Sequence, residues 1–87
     1  MKVCRIPDDV VFRDLDGEGV LLNLATGTYF GLNTTGTRVW HLVQDGKTLD
    51  EVVAALVDDF QVSVETATAD VAALLDELAA KGLVSVE

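Results

Sequence analysis

Scarcity is the first thing this 87-residue chain offers. Cys4 is the only cysteine, which excludes an intrachain disulfide and any zinc site built on paired cysteines. A free thiol near the N-terminus suits a reducing, cytoplasmic setting. His41 is the only histidine, with no partner at triad-like spacing, so it reads as a structural or solvent-facing residue beside Trp40. Basic residues are scarce too. Lys2, Arg5, Arg13, Arg38, Lys47 and Lys81 are scattered against fifteen acidic residues, for a formal charge of −9. Nucleic acid and anionic membrane need clustered cations, so neither is expected as a partner. A cationic or apolar peptide fits better.

Other absences narrow the class further. No apolar run approaches the ~20 residues that span a bilayer. The N-terminal MKVCRIPDDVVF has neither an h-region nor a small-residue cleavage site. Neither phosphate-binding glycine fingerprint occurs, and Asp8-Asp9 and Asp58-Asp59 do not follow the EF-hand pattern. Those acidic pairs read as solvated charge. No repeat, low-complexity tract or linker divides the chain, so residues 1–87 are read as one domain. No cofactor is expected, and no catalytic set is present.

What is there begins with VLLNLATGTYFGLNTTGTRVW, Val20 to Trp40. Val10 to Asp14 reads as a first strand, and Asp16-Gly17-Glu18-Gly19 as a turn cluster. Val20 to Ala25 reads as a second strand and Thr28 to Leu32 as a third, with Thr26-Gly27 as a tight turn between them. If that turn is a two-residue loop, Leu24 faces Tyr29 and Leu22 faces Gly31. A bulge at Gly27 gives a different pairing, so the register stays open. Leu21, Phe30 and Leu32 share one face, yet both faces carry apolar residues. Gly31 reads as a site of close backbone approach.

Three helices follow. The first spans about Thr35 to Gln44, capped by Asn33 or Thr34 and stopped by Gly46. Trp40 on it, beside Val39 and Val43, reads as core filler rather than a stacking platform. Thr48 and Glu51 form a capping box for the second, whose stripe is Leu49, Val52, Val53, Leu56 and Phe60. Ser63 caps the third, which runs to Lys81 with Gly82 as its C′ residue. Its apolar side is Val64, Ala67, Val71, Leu74, Leu75 and Leu78. Leu83 to Val86 forms a short extended tail. The expected fold is α+β and winged-helix-like, a three-stranded antiparallel sheet followed by a three-helix bundle.

The third strand is the last before the helices, so one of its edges is a candidate for an unpaired row of N–H and C=O groups. Such an edge accepts a guest strand, with main-chain bonds giving affinity and pockets giving specificity. The alanines of the third helix leave room beside it, although alanine is also simply a good helix former.

The motif V-L-L-N-L-x-T-G-x-Y-F-x-L-N-x-x-G-x-x-x-W, with the T-x-x-E helix start and the A-x-L-L-x-E-L-x-x-K-G-L-V ending, resembles the PqqD family from about Val10 to Val86. That resemblance implies a RiPP recognition element, a peptide chaperone without catalytic activity or cofactor. Such proteins bind the leader segment of a ribosomally made precursor by adding it to the third strand, against the third helix. They present it to a radical SAM maturase or, in lasso-peptide pathways, a leader peptidase. Carried onto this chain, the peptide contacts fall at Thr28, Tyr29, Phe30, Gly31 and Leu32, and at Asp70, Ala73, Leu74, Glu77 and Lys81. A pathway relative fits better than the pyrroloquinoline quinone member itself. A homodimer through the open edge is a further expectation. Two other classes compete. The topology alone allows a winged-helix DNA-binding regulator, which the charge opposes, and an enzyme with a single acidic or Cys4-based site is the third.

Overall fold

The computed structural model describes residues 4–86. The elements run β1 (Cys4–Arg5), β2 (Val10–Leu15), β3 (Glu18–Asn23), β4 (Tyr29–Leu32), α1 (Thr34–Gln44), α2 (Leu49–Phe60), α3 (Val64–Ala80) and β5 (Ser85–Val86). The expected sheet is present, with strand order β2-β3-β4 and antiparallel pairing throughout. The third expected strand is thus β4, and it lies at the edge. A second, two-stranded sheet pairs β1 with β5, joining the two ends of the described chain. The extended tail expected from Leu83 to Val86 thus ends in a paired strand.

The two-residue turn sits at Asp16-Gly17, not at Thr26-Gly27. Leu15 pairs with Glu18, and Asp16 and Gly17 both have positive φ, 56° and 88°, as a type I′ turn requires. The Asp14 carboxylate accepts from the Gly17 amide at 3.0 Å. Between β3 and β4 the loop is longer. The Asn23 amide donates to Thr28 O and Gly27 N donates to Asn23 O, both at 2.8 Å, enclosing four residues. Leu22 therefore faces Tyr29 and Val20 faces Gly31, two positions from the two-residue alternative.

The Asn23 side chain fixes this loop. Its Oδ1 accepts from Ala25 N at 2.9 Å and Thr26 N at 3.3 Å, while Nδ2 donates to Gly82 O at 2.9 Å. A buried polar side chain is stable only when its groups are satisfied, and Asn23 meets this by binding the hairpin to the end of α3.

One face of the sheet is the core face. Phe12, Leu21 and Phe30 are paired across it, and Leu21 is fully buried. Leu32, one pleat along from Phe30, is 3% exposed. Helix α1 covers this face, resting on β3 and β4. Trp40 is buried as expected, its ring 6.4 Å from that of Phe12, and half-buried His41 meets Phe12 edge-on at 5.0 Å. The Gly19 amide donates to the buried Thr37 hydroxyl at 2.9 Å, tying the sheet to α1.

The helix ends follow the local signals. Asn33 caps α1 by accepting from Gly36 N at 2.8 Å. The Thr48–Glu51 capping box is present. The amide–carboxylate bond to Thr48 holds the Glu51 carboxyl below its ordinary range. Helices α1 and α3 both end in a Schellman arrangement. Lys47 N reaches Leu42 O at 3.1 Å, and Leu83 N reaches Leu78 O at 2.8 Å, with Gly46 and Gly82 at positive φ. Helix α2 ends without glycine, on Gln61 in the left-handed region. Of the expected α2 stripe, Val52 and Leu56 are buried but Phe60 is exposed, and on α3 Val64 is exposed. Both lie at helix ends, and Val64 borders a cavity that it shares with Leu49 and Val53 of α2.

Candidate functional site: an open strand edge beside a groove

The register decides which main-chain groups are free. Bonded and non-bonded pairs alternate in an antiparallel ladder. The bond from Asn23 N to Thr28 O makes Leu21–Phe30 a bonded pair, and Leu22–Tyr29 and Val20–Gly31 non-bonded ones. Phe30 therefore turns its N–H and C=O toward β3. Tyr29 and Gly31 turn theirs outward, where among the described residues β4 has no neighbouring strand. Thr28 is different: its carbonyl accepts from Asn23 and its amide donates to Thr26 Oγ1 at 3.2 Å, both inside the hairpin.

Beside this edge lies a groove of about 380 Å³. Phe30, Gly31 and Leu32 form its strand wall, and Asp70 and Leu74 of α3 form the opposite one. The first turn of α1 closes the end where β4 stops, through Asn33, Thr35 and Gly36. The groove stays open because α3 packs on α2 and β5. The buried line of α3 is Ala67, Val71, Leu75 and Leu78, so Asp70 and half-buried Leu74 stand one step around the helix, facing β4. The Lys81 ammonium lies 5.9 Å over the Phe30 ring, a cation–π distance.

The ten residues expected at the site thus separate. Phe30, Gly31, Leu32, Asp70 and Leu74 meet around the groove, and Lys81 joins through Phe30. Ala73 and Glu77 are exposed on α3 but do not line it, and the Tyr29 ring is 73% exposed. Sequence reasoning missed Asn33, Thr35 and Gly36. Their signal was adjacency, since Asn33 directly follows β4 and was already read as a cap. Gly31 needs a correction: a Cβ there would meet nothing within 4 Å, so no close approach explains it in the free chain.

Other chemistry has little support. Cys4 is 5% exposed, and burial pushes its thiol pKa up, the opposite of an activated nucleophile. Among the described residues no group of three His, Cys, Asp or Glu could hold a metal. No helix among them is long and apolar enough to cross a membrane. The acidic pairs are exposed, and Asp59 binds Arg38 at 2.7 Å.

An α+β domain with an open edge strand alongside a helix-walled groove defines the class, and comparison gives the family. The model for PqqD, coenzyme PQQ synthesis protein D, matches residues 18–84. The chain belongs to the PqqD family. It is similar to TbiB1, solved in complex with the TbiA(beta) leader peptide, at 42% identity, covering 93% of this chain and 94% of that one, with a TM-score of 0.89. It is also similar to a lasso peptide synthetase B1 solved with its leader peptide, at 27% identity, covering 94% and 96%, with a TM-score of 0.86. No curated protein matches significantly.

Proposed function

We propose that this chain is a non-catalytic adaptor, a RiPP recognition element. It binds the leader segment of a ribosomally made precursor peptide as a fourth strand on β4. The carrying observation is the pair of outward-facing main-chain sites at Tyr29 and Gly31 beside a groove sized for side chains. Strand addition draws affinity from such an edge and specificity from such a pocket. Both similar structures being leader-peptide complexes supports the same reading. The guest's main chain meets Tyr29 and Gly31. Its side chains meet Phe30, Leu32, Asp70 and Leu74, with Lys81 at one end and Ala73 and Glu77 on the outer rim. Likeness to a lasso peptide synthetase B1 favours a leader peptidase as the enzyme served, ahead of a radical SAM maturase. The setting is cytoplasmic.

A titration of the isotopically labelled chain with the TbiA(beta) leader peptide tests this. Amide shifts concentrated in residues 28–32 and along α3 are expected. Shifts confined elsewhere, or none at saturating peptide, would reject strand addition. A duplex DNA arm at about 0.15 M salt separates the regulator reading. With a charge of −9 and no arginine on α3, no binding is expected.

A further inference from the structure

The groove has a chemistry of its own. Phe30, Leu32 and Leu74 give it apolar walls. Among the described residues Asp70 is the only charged one lining it. Among the described residues Asp70 has no hydrogen-bond or ion-pair partner, in contrast to Asp59, which holds Arg38, and Glu51, which holds its cap. Lys81 lies over the Phe30 ring, 5.9 Å from its centroid. An apolar slot with one unengaged carboxylate at its rim suits a side chain with a long hydrocarbon stem and a positive head. Lysine and arginine lay their stems on apolar surface and keep the head in water.

Resting on the peptide-binding reading above, we infer that this groove selects a lysine or arginine at one position of the guest strand, with Asp70 as the specificity-determining residue. Strand geometry limits which position that is. Alternate residues of an added strand face the core side, as Phe30 and Leu32 do, and only those reach Asp70. A guest carboxylate at that position faces like charge, in a protein already at −9.

The test uses the full chain and the TbiA(beta) leader peptide, substituted one position at a time with lysine or with norleucine, which keeps the stem and drops the charge. Anisotropy gives the affinity ratio of each pair. The expected result is one inward-facing position where lysine binds about three- to tenfold tighter than norleucine. Asp70→Asn brings that ratio to about one, and Asp70→Lys inverts it. Norleucine peptides give each protein its own uncharged reference, whatever the absolute affinity. Asp70 is exposed, so both variants are expected to fold, and their melting curves verify it. If the parent peptide binds but no lysine-to-norleucine ratio responds to residue 70, the selectivity claim is wrong and the adaptor reading stands. If no peptide of the panel binds the unmodified chain, the adaptor reading fails and takes the selectivity with it.

Discussion

Replacing Gly31 with proline separates binding from folding more sharply than any other single change. The Gly31 amide points away from β3, so proline removes no bond of the native ladder. A Cβ at Gly31 meets nothing within 4 Å, and Gly31 is not among the positive-φ residues, so neither a clash at Cβ nor a left-handed backbone excludes proline there. Proline is tolerated on edge strands when its nitrogen faces solvent, and Phe30 before it is already extended, as a pre-proline residue prefers. The stability cost should stay within about 1 kcal/mol, a Tm shift of no more than about 4–8 °C in a domain of this size. Binding is different. The guest carbonyl that Gly31 would satisfy meets a ring instead, and an acceptor left without its donor costs about 1–3 kcal/mol, a roughly 5- to 150-fold rise in Kd. Gly31→Ala keeps the amide and should bind almost normally. Phe30→Pro breaks the bonded pair with Leu21 and removes a ring packed against the core, so it should lose about 3 kcal/mol or more. Calorimetry with the TbiA(beta) leader peptide, alongside thermal melts, reads all three. A folded Gly31→Pro protein with unchanged affinity would refute the assignment of that amide to the guest.

Asn23→Ala removes both groups that hold the hairpin loop to Gly82, leaving that carbonyl and two loop amides without partners, so a loss of about 1–3 kcal/mol is expected by denaturant titration. Trp40→Ala should cost about 3–5 kcal/mol by the same assay, since Trp40 is 1% exposed; a stable variant that lost only peptide binding would mean a ligand-facing role. Cys4 should react with a thiol reagent only as fast as the β1–β5 sheet opens, so denaturant should speed labelling by orders of magnitude. Fast labelling of the native chain would contradict its burial.

How much of this was legible in the sequence follows from the range of the interactions. Caps were legible because their partners lie three residues apart: Asn33 with Gly36, Thr48 with Glu51, Ser63 with Thr66. Strand order and the edge position of β4 were legible because short connections leave few topologies. The β3–β4 register was not. Thr26-Gly27 resembles a two-residue turn, but Asn23 sets a four-residue loop through Gly82, 59 residues away. The β1–β5 pairing joins two-residue strands at opposite ends of the chain, and nothing local announces it. Half of the site was visible as the β4 edge. The face of α3 was not, because Leu74 and Leu75 are adjacent apolar residues and only the finished fold buries one and turns the other to the groove.

The most direct measurement is residue-resolved amide hydrogen exchange with and without the TbiA(beta) leader peptide. In the free chain the Tyr29 and Gly31 amides should exchange quickly and the Phe30 amide slowly. Peptide should slow Tyr29 and Gly31 together and leave the β2–β3 amides as they were. If those two amides still exchange freely when peptide saturates the protein, nothing has been added to the edge of β4 and the central claim fails.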